Sequence, residues 1–501
     1  MTRSNKTQLP KNILVVYALD DHNERRIGTI SHLHALEYSS IPHQITYYNA
    51  YGVKPGWSLL EDISGSVPAE LEQKKFDILI LHNTFLCYRW TYAYFYKWKY
   101  FFRWIAEIAP LKLAIPQDEF DHHSLLDEWL YEWNVDAIID VHYHTAGKGI
   151  FYPLMHDKVP IYACLPGYID DQLAQKYAPQ LLPSSQRRLD IVYRANHLPY
   201  RFGSAGQMKY YIGEVVAARA QELGYRCNIS TCPQDAIIGE HWLDFLSSSK
   251  SVIGVEGGAT AMDWHGEVRA KEETLRKLMP NLTFEQFKAT MPSDWDSQHF
   301  LTITPRHFEA IITKTCQILV EGEYRGILKP DVHYIPLKKD FSNLDEALDK
   351  LRDVRYVETM VERAYEDIYL SGRYSYRTFA ELIERAISDA EQLQKNKQEG
   401  KITLMTTDEQ PTQALERSLI AERHSKALLE AKLIEMGAEL KAQQAAQQVV
   451  EQVAQQVAQQ ASLISGLKTY QAKWNERLAL LVLGSMTVSV IVSLVIALWL
   501  R

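Results

Sequence analysis

The chain has 501 residues, of which 46% are hydrophobic and 23% are charged, a composition that excludes a fully disordered or collagen-like protein. Its length predicts roughly two to four structural units, and its formal net charge of −8 argues against a dedicated nucleic-acid-binding protein. The five cysteines are scattered without a CxxC pair, which predicts reduced thiols rather than a disulfide framework or a zinc module. The N-terminus has no apolar signal segment, so we expect the body of the protein in the cytosol.

The first part of the chain alternates short apolar segments with helical patterns. The apolar segments are rich in β-branched and aromatic residues, and they begin at Asn12, Gln44, Phe76, Leu111 and Val135. Alternation of this kind predicts a parallel, doubly wound sheet with helices on both faces. We therefore expect an N-terminal Rossmann-like domain over residues 1–185.

A second series of the same kind follows a linker-like LLPSSQRR segment. Its predicted strands begin at Leu189, Tyr225, Ser251, Cys316 and His333. Its predicted helices are Gly206–Leu223, Gly239–Ser248, Arg306–Lys314, Leu344–Asp353 and Val354–Leu370. This series predicts a second Rossmann-like domain over residues 186–395. Ligands of such sheets bind beyond the carboxyl ends of the strands, so we expect a site in the cleft between the two domains.

The sequence becomes poor in aromatic residues and rich in Ala, Gln, Glu and Leu after about residue 395. Apolar residues there alternate at spacings of three and four, at Val450, Val453, Val457, Ile464 and Leu467. This spacing predicts a helical coiled-coil spacer over residues 396–475, through which the chain forms a homo-oligomer. A single solvated helix or a partly disordered spacer is the alternative.

The C-terminal segment Leu478–Leu500 contains no charged residue. At about 1.5 Å per residue it reaches roughly 34 Å as a helix, enough for a hydrocarbon core of about 30 Å. Lys473 and Arg477 precede this segment and Trp499 lies near its end, as interfacial anchors do. We therefore predict a transmembrane tail anchor over residues 476–501, in the inner (cytoplasmic) membrane with the body in the cytoplasm. A buried core helix is the alternative.

The most informative window begins at Arg306 and combines a helix, a strand and the glycine-containing EGEYRG loop. The carboxylate of Glu309 lies near the start of the helix, where it can accept hydrogen bonds from the vicinal hydroxyls of a ribose or sugar. The loop can bring backbone N–H groups close to an anion. A glutamate near a helix start also complements the helix dipole, and that structural role is equally open.

This window resembles the C-terminal half of GT-B glycosyltransferases, in particular the spore-maturation CgeB-like group. The matching residues are Arg306, Phe308 and Glu309, followed by CQILVEGEYRGIL and HYIPLKKDFSNL. Leu189–Glu214 resembles the entry strand and phosphate-facing loop of that family, and LAIPQDEF resembles a strand end of its first domain. The resemblance spans roughly residues 12–390.

The resemblance implies that the second domain binds a nucleotide-diphosphate sugar, which is a substrate, so that no cofactor is needed. Glu309 would bind the ribose, and cationic side chains would face the diphosphate. The donor-binding residues expected on this basis are Glu309, Arg194, Arg201, Lys209, Gly257, Gly258, Asp263 and His265. Each cation is open to the alternative of a surface charge, and the glycines to that of a structural turn. Leu301 replaces the second glutamate of many retaining enzymes, which places retaining chemistry in doubt.

An inverting transfer needs a general base in the first domain to take the proton of the acceptor hydroxyl. The candidates follow predicted strands: Asp118 and Glu119 rank first and His22 follows, with His82 and His142 as further candidates. A carboxylate at a strand end can instead cap the next helix.

Histidine and aspartate also cluster in the DDH, DHH and DVHYH segments, which leaves a metal-dependent hydrolase as a minor alternative. No established metal-binding spacing supports it, and we expect no metal site. The sequence thus predicts a membrane-anchored glycosyltransferase with an unknown, possibly membrane-linked or envelope acceptor. The main alternative is a non-catalytic, membrane-anchored scaffold that keeps the same two domains as a binding module.

Overall fold

The computed structural model describes residues 9–20, 26–53, 65–142 and 150–399, with residues 92–94 and 97 described by their backbone alone. Residues 400–501, which hold most of the predicted spacer and all of the predicted membrane span, lie outside these ranges, as does His22. Among the helices within the described ranges, none is long and apolar enough to cross a membrane.

The first half of the chain forms a parallel sheet of six strands in the order β2-β1-β3-β4-β5-β6. The strands are β1 (Asn12–Tyr17), β2 (Gln44–Asn49), β3 (Ile78–His82), β4 (Leu111–Ile115), β5 (Ala137–Asp140) and β6 (Ile161–Ala163). Every residue of β3 and β5 is buried, because helices cover both faces of the sheet. The helices are α1 (Ile27–Leu33), α2 (Ala69–Glu72), α3 (Asn83–Leu86), α4 (Phe95–Phe101), α5 (His123–Glu132) and α6 (Asp171–Tyr177).

The second half forms a parallel sheet of five strands in the order β13-β12-β9-β7-β8 and a two-stranded antiparallel pair, β10-β11. The strands are β7 (Leu189–Arg194), β8 (Cys227–Ser230), β9 (Ser249–Gly254), β10 (Gly257–Ala259), β11 (Phe300–Thr302), β12 (Cys316–Val320) and β13 (Ile335–Leu337). The helices are α7 (Gly203–Glu222), α8 (His241–Ser247), α9 (Glu267–Leu278), α10 (Phe284–Lys288), α11 (Pro305–Ile312), α12 (Leu344–Lys350) and α13 (Val354–Ala364).

The last described helix, α14 (Tyr376–Gln398), returns to the first sheet. Its apolar face, which includes Phe379, Ile383 and Ile387, joins the core formed by β1, β3 and β4. The hydroxyl of Tyr376 donates a hydrogen bond to the carbonyl of Gly28, at 3.1 Å across 348 residues of sequence. One face of the N-terminal sheet is therefore covered by the C-terminal end of the described chain.

The ten predicted strands and the α/β class with two parallel sheets are confirmed. Strands β6, β10 and β11 were not predicted, because three residues are too few for a hydrophobic period to show. The predicted helix Val354–Leu370 ends as an α-helix at Ala364 and continues as a π-helical turn, Tyr365–Tyr369. The predicted helix Arg306–Lys314 ends at Ile312, and Lys314 has a positive φ of 48°, which an α-helix cannot continue through.

Candidate active site

A cavity of about 360 Å³ lies between the carboxyl ends of the two parallel sheets. The first half contributes residues that follow β1, β3, β4 and β5, among them Arg26, Asn83, Asp118 and His142. The second half contributes residues that follow β7 and β9, together with α7, α8 and α11. The cavity thus lies where ligands of open α/β sheets bind, and its volume suits a small organic ligand.

Asp118 lies in the cavity wall, in the turn between β4 and α5. Its φ of 53° is left-handed, and the buried guanidinium of Arg89 holds this turn by donating to the carbonyls of Asp118 and Gln117 at 2.9 and 2.8 Å. The carboxylate faces the cavity without a hydrogen-bond partner among the described residues. Its pKa is raised by the low-dielectric walls, an effect that the charges of Arg89 and Lys209 oppose. The turn thus places a carboxylate with a raised pKa in the cavity wall.

Glu119 lies outside the cavity, although the sequence ranked it with Asp118 as a candidate base. Its side chain is fully buried, and Oε1 accepts a hydrogen bond from the backbone N–H of Val141 at 3.0 Å. Burial and the nearby carboxylate of Asp140 raise its pKa well above the usual range. The left-handed turn at Asp118 directs its carboxylate to the cavity, while that of Glu119 points into the core. Glu119 instead supports the backbone next to His142, which does line the cavity.

The side chains of Arg26, Lys209 and Arg306 bring positive charge to the cavity. Lys209 projects from α7, and its pKa is lowered to about 8 by burial, against the opposing charge of Asp118. The charge of Arg26 lies close enough to lower the pKa of Arg306, after the larger effect of burial. Like charges held together without bound anions are costly, so this cluster favours an anionic ligand.

Glu309 lines the same cavity from α11. Its Oε2 accepts a hydrogen bond of 2.7 Å from the indole Nε1–H of Trp242. Burial raises the pKa of Glu309, while the Trp242 hydrogen bond and the charges of Arg306 and Arg26 oppose the rise. From the sequence, both carboxylate oxygens of Glu309 were expected to accept hydrogen bonds from a ligand. In the structure, Oε2 already accepts one from Trp242.

Gly257 and Gly258 also line the cavity, and they begin the short strand β10. Gly258 has a φ of +108°, and a Cβ at this position would lie 1.8 Å from the carbonyl oxygen of Phe300 on β11. Only glycine fits such a position. The structural role considered from the sequence is thus present at Gly258, and both glycines also border the cavity.

Arg194 and Arg201 do not line the cavity. The guanidinium of Arg194 donates to the carbonyls of Asp235 and Asn228 at 2.9 and 3.0 Å, and it packs on the ring of Phe245. Arg201 lies near the carboxylates of Asp121 and Glu272, at 3.6 and 3.9 Å. Both cations contact loops, and neither lines the cavity in which they were expected to face a diphosphate.

The loop that the resemblance implies would face a phosphate instead contacts a carboxylate of the protein. The N-terminus of α7 is capped by Asp296, whose Oδ1 accepts from the backbone N–H of Ser204 at 2.8 Å and from the Thr260 hydroxyl at 2.5 Å. Lys288 donates to the other oxygen of Asp296 at 2.7 Å. A protein carboxylate therefore occupies the position at which this helix would bind an anion.

Asp263 and His265 lie outside the cavity as well. Asp263 is buried and caps α9, because its oxygens accept from the backbone N–H groups of Gly266 and Arg269 at 2.8 and 2.9 Å. The imidazole of His265 makes a short hydrogen bond with the hydroxyl of Ser124. The structure thus assigns both residues to the packing of loops, contrary to the ligand contacts expected from the sequence.

Asp121, His122 and Asp263 offer ligand atoms within 4.8 Å of one another, which is the arrangement closest to the histidine–aspartate clusters of the sequence. Within this group Nδ1 of His122 is hydrogen-bonded to Oδ1 of Asp121 at 2.6 Å, and Arg201 lies beside Asp121. Asp263 uses its oxygens to cap a helix. These contacts occupy Oδ1 of Asp121, Nδ1 of His122 and both carboxylate oxygens of Asp263.

Pro305, the first residue of α11, fits between two glycines of the first half of the chain. A Cβ on Gly167 would lie 2.6 Å from Cγ of Pro305, and a Cβ on Gly28 would lie 3.1 Å from Cβ of Pro305. Gly28 is also next to Glu309, since the same Cβ would lie 3.3 Å from Oε1 of Glu309. The two halves are therefore in direct contact at the rim of the cavity.

The structure brings Asp118, Lys209, Glu309 and the paired glycines together around one cavity, and several other lining residues were not singled out from the sequence. The residues missed are Arg26, Asn83, Gln117, Asn196 and Trp242. They are polar or aromatic residues in loops after strands or at helix starts, and the position after a predicted strand was the one available signal. Arg306 was recognised as part of a motif but without its place beside Arg26.

Solved glycosyltransferase structures are similar to the chain at low identity. An alpha-glucosyltransferase in complex with UDP-glucose and DNA containing an abasic site is 12% identical, covering 75% of this chain and 99% of its own, with a TM-score of 0.43. HepE of Anabaena in complex with UDP-glucose is 11% identical, covering 75% and 99% of the two chains, with a TM-score of 0.41. Sucrose-phosphate synthase from Thermosynechococcus elongatus is 12% identical, covering 76% and 98%, with a TM-score of 0.37.

No protein-family model and no curated protein sequence matches the chain. The TM-scores of the solved structures are too low for their functions or their folds to be transferred.

Proposed function

We propose that the protein is a GT-B-like glycosyltransferase that transfers a sugar from a nucleotide-diphosphate donor to a hydroxyl acceptor. The observation that carries the proposal is the cavity between the two sheets, in which Arg26, Lys209 and Arg306 face the same space as Glu309 and Asp118. Cations suit a diphosphate, a carboxylate suits the hydroxyls of a ribose, and a second carboxylate across the cavity suits an acceptor.

The donor would lie against the second half of the chain. Glu309 would accept a hydrogen bond from a ribose hydroxyl, while Lys209 and Arg306 would neutralise the diphosphate. In the transfer the bond between the anomeric carbon and the diphosphate oxygen breaks, and negative charge grows on the leaving group. Cations already in place stabilise that charge without reorganisation, so the cavity itself supplies the electrostatic part of catalysis.

The acceptor would lie against the first half, with Asp118 as the general base. As the acceptor oxygen bonds to the anomeric carbon, its proton passes to the carboxylate of Asp118. The raised pKa of this carboxyl brings it closer to neutral pH, where a general base works best. Asn83, Gln117 and His142 complete a polar wall that suits a hydroxyl-rich acceptor.

Three further features belong to the same proposal. Membership of the CgeB-like group is supported by the Arg306–Glu309 motif, and transfer of a hexose by that resemblance. Attachment to the cytoplasmic membrane is supported by the uncharged segment Leu478–Leu500, and self-association by the apolar spacing before it. A membrane-linked or envelope acceptor would follow from such an attachment.

A panel of UDP-, GDP-, ADP- and dTDP-sugars tests the proposal. We expect one nucleotide family to raise the melting temperature of the full chain and to bind in calorimetry, and Glu309→Ala to abolish that binding without unfolding the protein. Slow release of free sugar and nucleoside diphosphate would demonstrate the catalytic function.

The panel also separates the proposal from its alternative. If every nucleotide sugar fails to bind, the glycosyltransferase function is excluded. Tight binding without hydrolysis or transfer to any acceptor would favour the non-catalytic binding module.

A further inference from the structure

Trp242 is in contact with both donor-binding elements of the cavity. Its indole Nε1–H donates a hydrogen bond of 2.7 Å to Oε2 of Glu309. The guanidinium carbon of Arg306 lies 5.1 Å from the centroid of its ring. One rigid side chain therefore touches the carboxylate proposed for the ribose and a cation proposed for the diphosphate.

The position of the indole is fixed by its own helix. Trp242 belongs to α8 and is only 6% exposed, although it reaches the cavity wall. Its ring packs against Phe245 of the same helix with centroids 5.9 Å apart, and both belong to a core that includes Phe308 of α11. A buried aromatic ring with two torsion angles has little freedom, so its edge and face act as fixed points.

The edge and the face of the indole supply different interactions. The N–H edge is a neutral donor, which holds the Glu309 carboxylate in one rotamer without neutralising its charge. The face is electron-rich and attracts the guanidinium of Arg306. Arg306 in turn donates a short hydrogen bond to the backbone carbonyl of Arg194, which secures its other end.

We infer that Trp242 is a positioning residue for the donor, which fixes Glu309 and Arg306 relative to each other so that a ribose and its diphosphate are bound as one unit. The inference rests on the proposed function, because it concerns the same cavity. It adds a residue that acts through two others and that is not itself required to touch the ligand.

The hydrogen bond also limits how Glu309 meets the ribose. Oε2 accepts from Trp242, so Oε1, which lies on the side of Gly28, is the oxygen without a protein donor among the described residues. A carboxylate held in this way accepts most favourably from one hydroxyl of the pair. We therefore expect loss of either the 2′- or the 3′-hydroxyl of the nucleotide to weaken binding, and loss of the other to matter much less.

Substitution of Trp242 by phenylalanine tests the inference, because it keeps an aromatic face towards Arg306 and removes the N–H donor. The probe is the nucleoside diphosphate that binds the full chain most tightly among UDP, GDP and ADP. We expect Trp242→Phe to weaken its binding about tenfold, as for loss of a hydrogen bond to a charged group. In a Glu309→Gln background, Trp242→Phe should weaken nucleotide binding less, because the charged acceptor is already missing.

Trp295→Phe is the matched control. Trp295 is also buried in the second half, and its Nε1 has no hydrogen-bond partner among the described residues. The same change of side chain there removes aromatic volume but no hydrogen bond. It should leave nucleotide binding unchanged, and thermal unfolding of each variant shows whether it remains folded.

The pH dependence of binding distinguishes a role in positioning Glu309 from a purely structural role of Trp242. The Trp242 hydrogen bond lowers the pKa of Glu309, which burial raises. Without that hydrogen bond Glu309 takes up a proton at higher pH, so binding by Trp242→Phe should begin to fail at a higher pH than binding by the native protein. The titration of the phosphates is common to every variant and cancels in the comparison.

The outcomes are distinguishable from failure of the proposed function. If the native chain binds none of the nucleoside diphosphates, the glycosyltransferase proposal fails and this inference fails with it. If the native chain binds one of them and Trp242→Phe binds it equally well with the same pH dependence, the inference alone is wrong. A folded Trp242→Phe variant with weaker binding and a shifted acid limb supports both.

Discussion

The amino group of Lys209 makes the proposed donor site sensitive to pH in the alkaline direction. Its pKa is lowered to about 8, and a lysine carries its charge only below its pKa. We therefore expect nucleoside diphosphate affinity to fall, by about tenfold at most, as the pH rises through about 8. Calorimetric titration between pH 7 and 9.5 measures this effect above the last ionisation of the phosphates.

Lys209→Arg is the control for that prediction, since a guanidinium stays charged throughout the range. Affinity of this variant should remain level where that of the native protein falls. An equal alkaline loss in both proteins would show that another group is responsible.

The carboxylate of Asp118 should affect turnover rather than donor binding. Replacement by asparagine keeps the size of the side chain and removes its ability to take a proton. We expect Asp118→Asn to lower transfer to the acceptor by about a hundredfold or more, the range for a general base. Donor affinity should stay the same or rise, because a negative charge beside Lys209 has been removed.

Steady-state kinetics with the identified donor and acceptor separate these two effects. Glu119→Gln is a useful comparison, because Glu119 lies next in sequence but faces the core. Retention of full turnover by Asp118→Asn would mean that the base is another residue of the cavity.

Side-chain direction explains which site residues the sequence could indicate. Asp118, Lys209 and Glu309 follow strands or lie on helices whose cavity-facing side was predictable from the parallel sheet. Arg194 ends β7 and Arg201 follows it, yet each long side chain finds acceptors that are distant in sequence, such as the carbonyl of Asp235 for Arg194. Which acceptor a flexible arginine side chain reaches depends on tertiary contacts. The local sequence does not encode these contacts.

Helix α11 is the element that joins the two halves at the cavity, through Pro305. A methyl group at Gly167 would lie 2.6 Å from Cγ of this proline, a distance that requires the backbone to move. We expect Gly167→Ala to destabilise the protein by about 1–3 kcal/mol and to weaken nucleotide binding, because the cavity walls are pushed apart. Urea unfolding and calorimetry measure the two effects.

The double variant Gly167→Ala/Pro305→Ala shows whether the contact is the cause. Removal of the proline ring should relieve the clash, so the two changes together should cost less than their sum. Strictly additive effects would indicate that the glycine matters for a reason other than this contact.

The elements themselves were more predictable than their ends. Buried parallel strands such as β3 and β12 appear in the sequence as continuous apolar runs, and these were identified. The pair β10-β11 depends on Gly258, which has a positive φ and pairs with Leu301 of β11. Two helices, α9 and α10, separate these strands in the sequence. Pairing of that kind is a tertiary property, and short strands carry too few residues to predict it.

The fold as a whole depends on α14, whose residues complete the core of the first sheet. Phe379 is fully buried and stacks on Tyr168 with ring centroids 4.8 Å apart. We expect Phe379→Ala to lower the free energy of unfolding by about 3–5 kcal/mol. Leu370→Ala, at a position that is 64% exposed, should change it by less than about 0.5 kcal/mol. Chemical denaturation of both variants tests the prediction, and equal stabilities would contradict it.

The return of α14 has a consequence for the synthesis of the protein. A ribosome releases β1 long before it releases Phe379, so the growing chain carries an uncovered apolar sheet face until almost the whole described sequence has been made. We therefore expect the N-terminal half to complete its folding late in synthesis rather than as an early folded unit. Because Tyr376 also donates to the carbonyl of Gly28 in the cavity wall, we expect that wall to take its final form only after the helix has emerged.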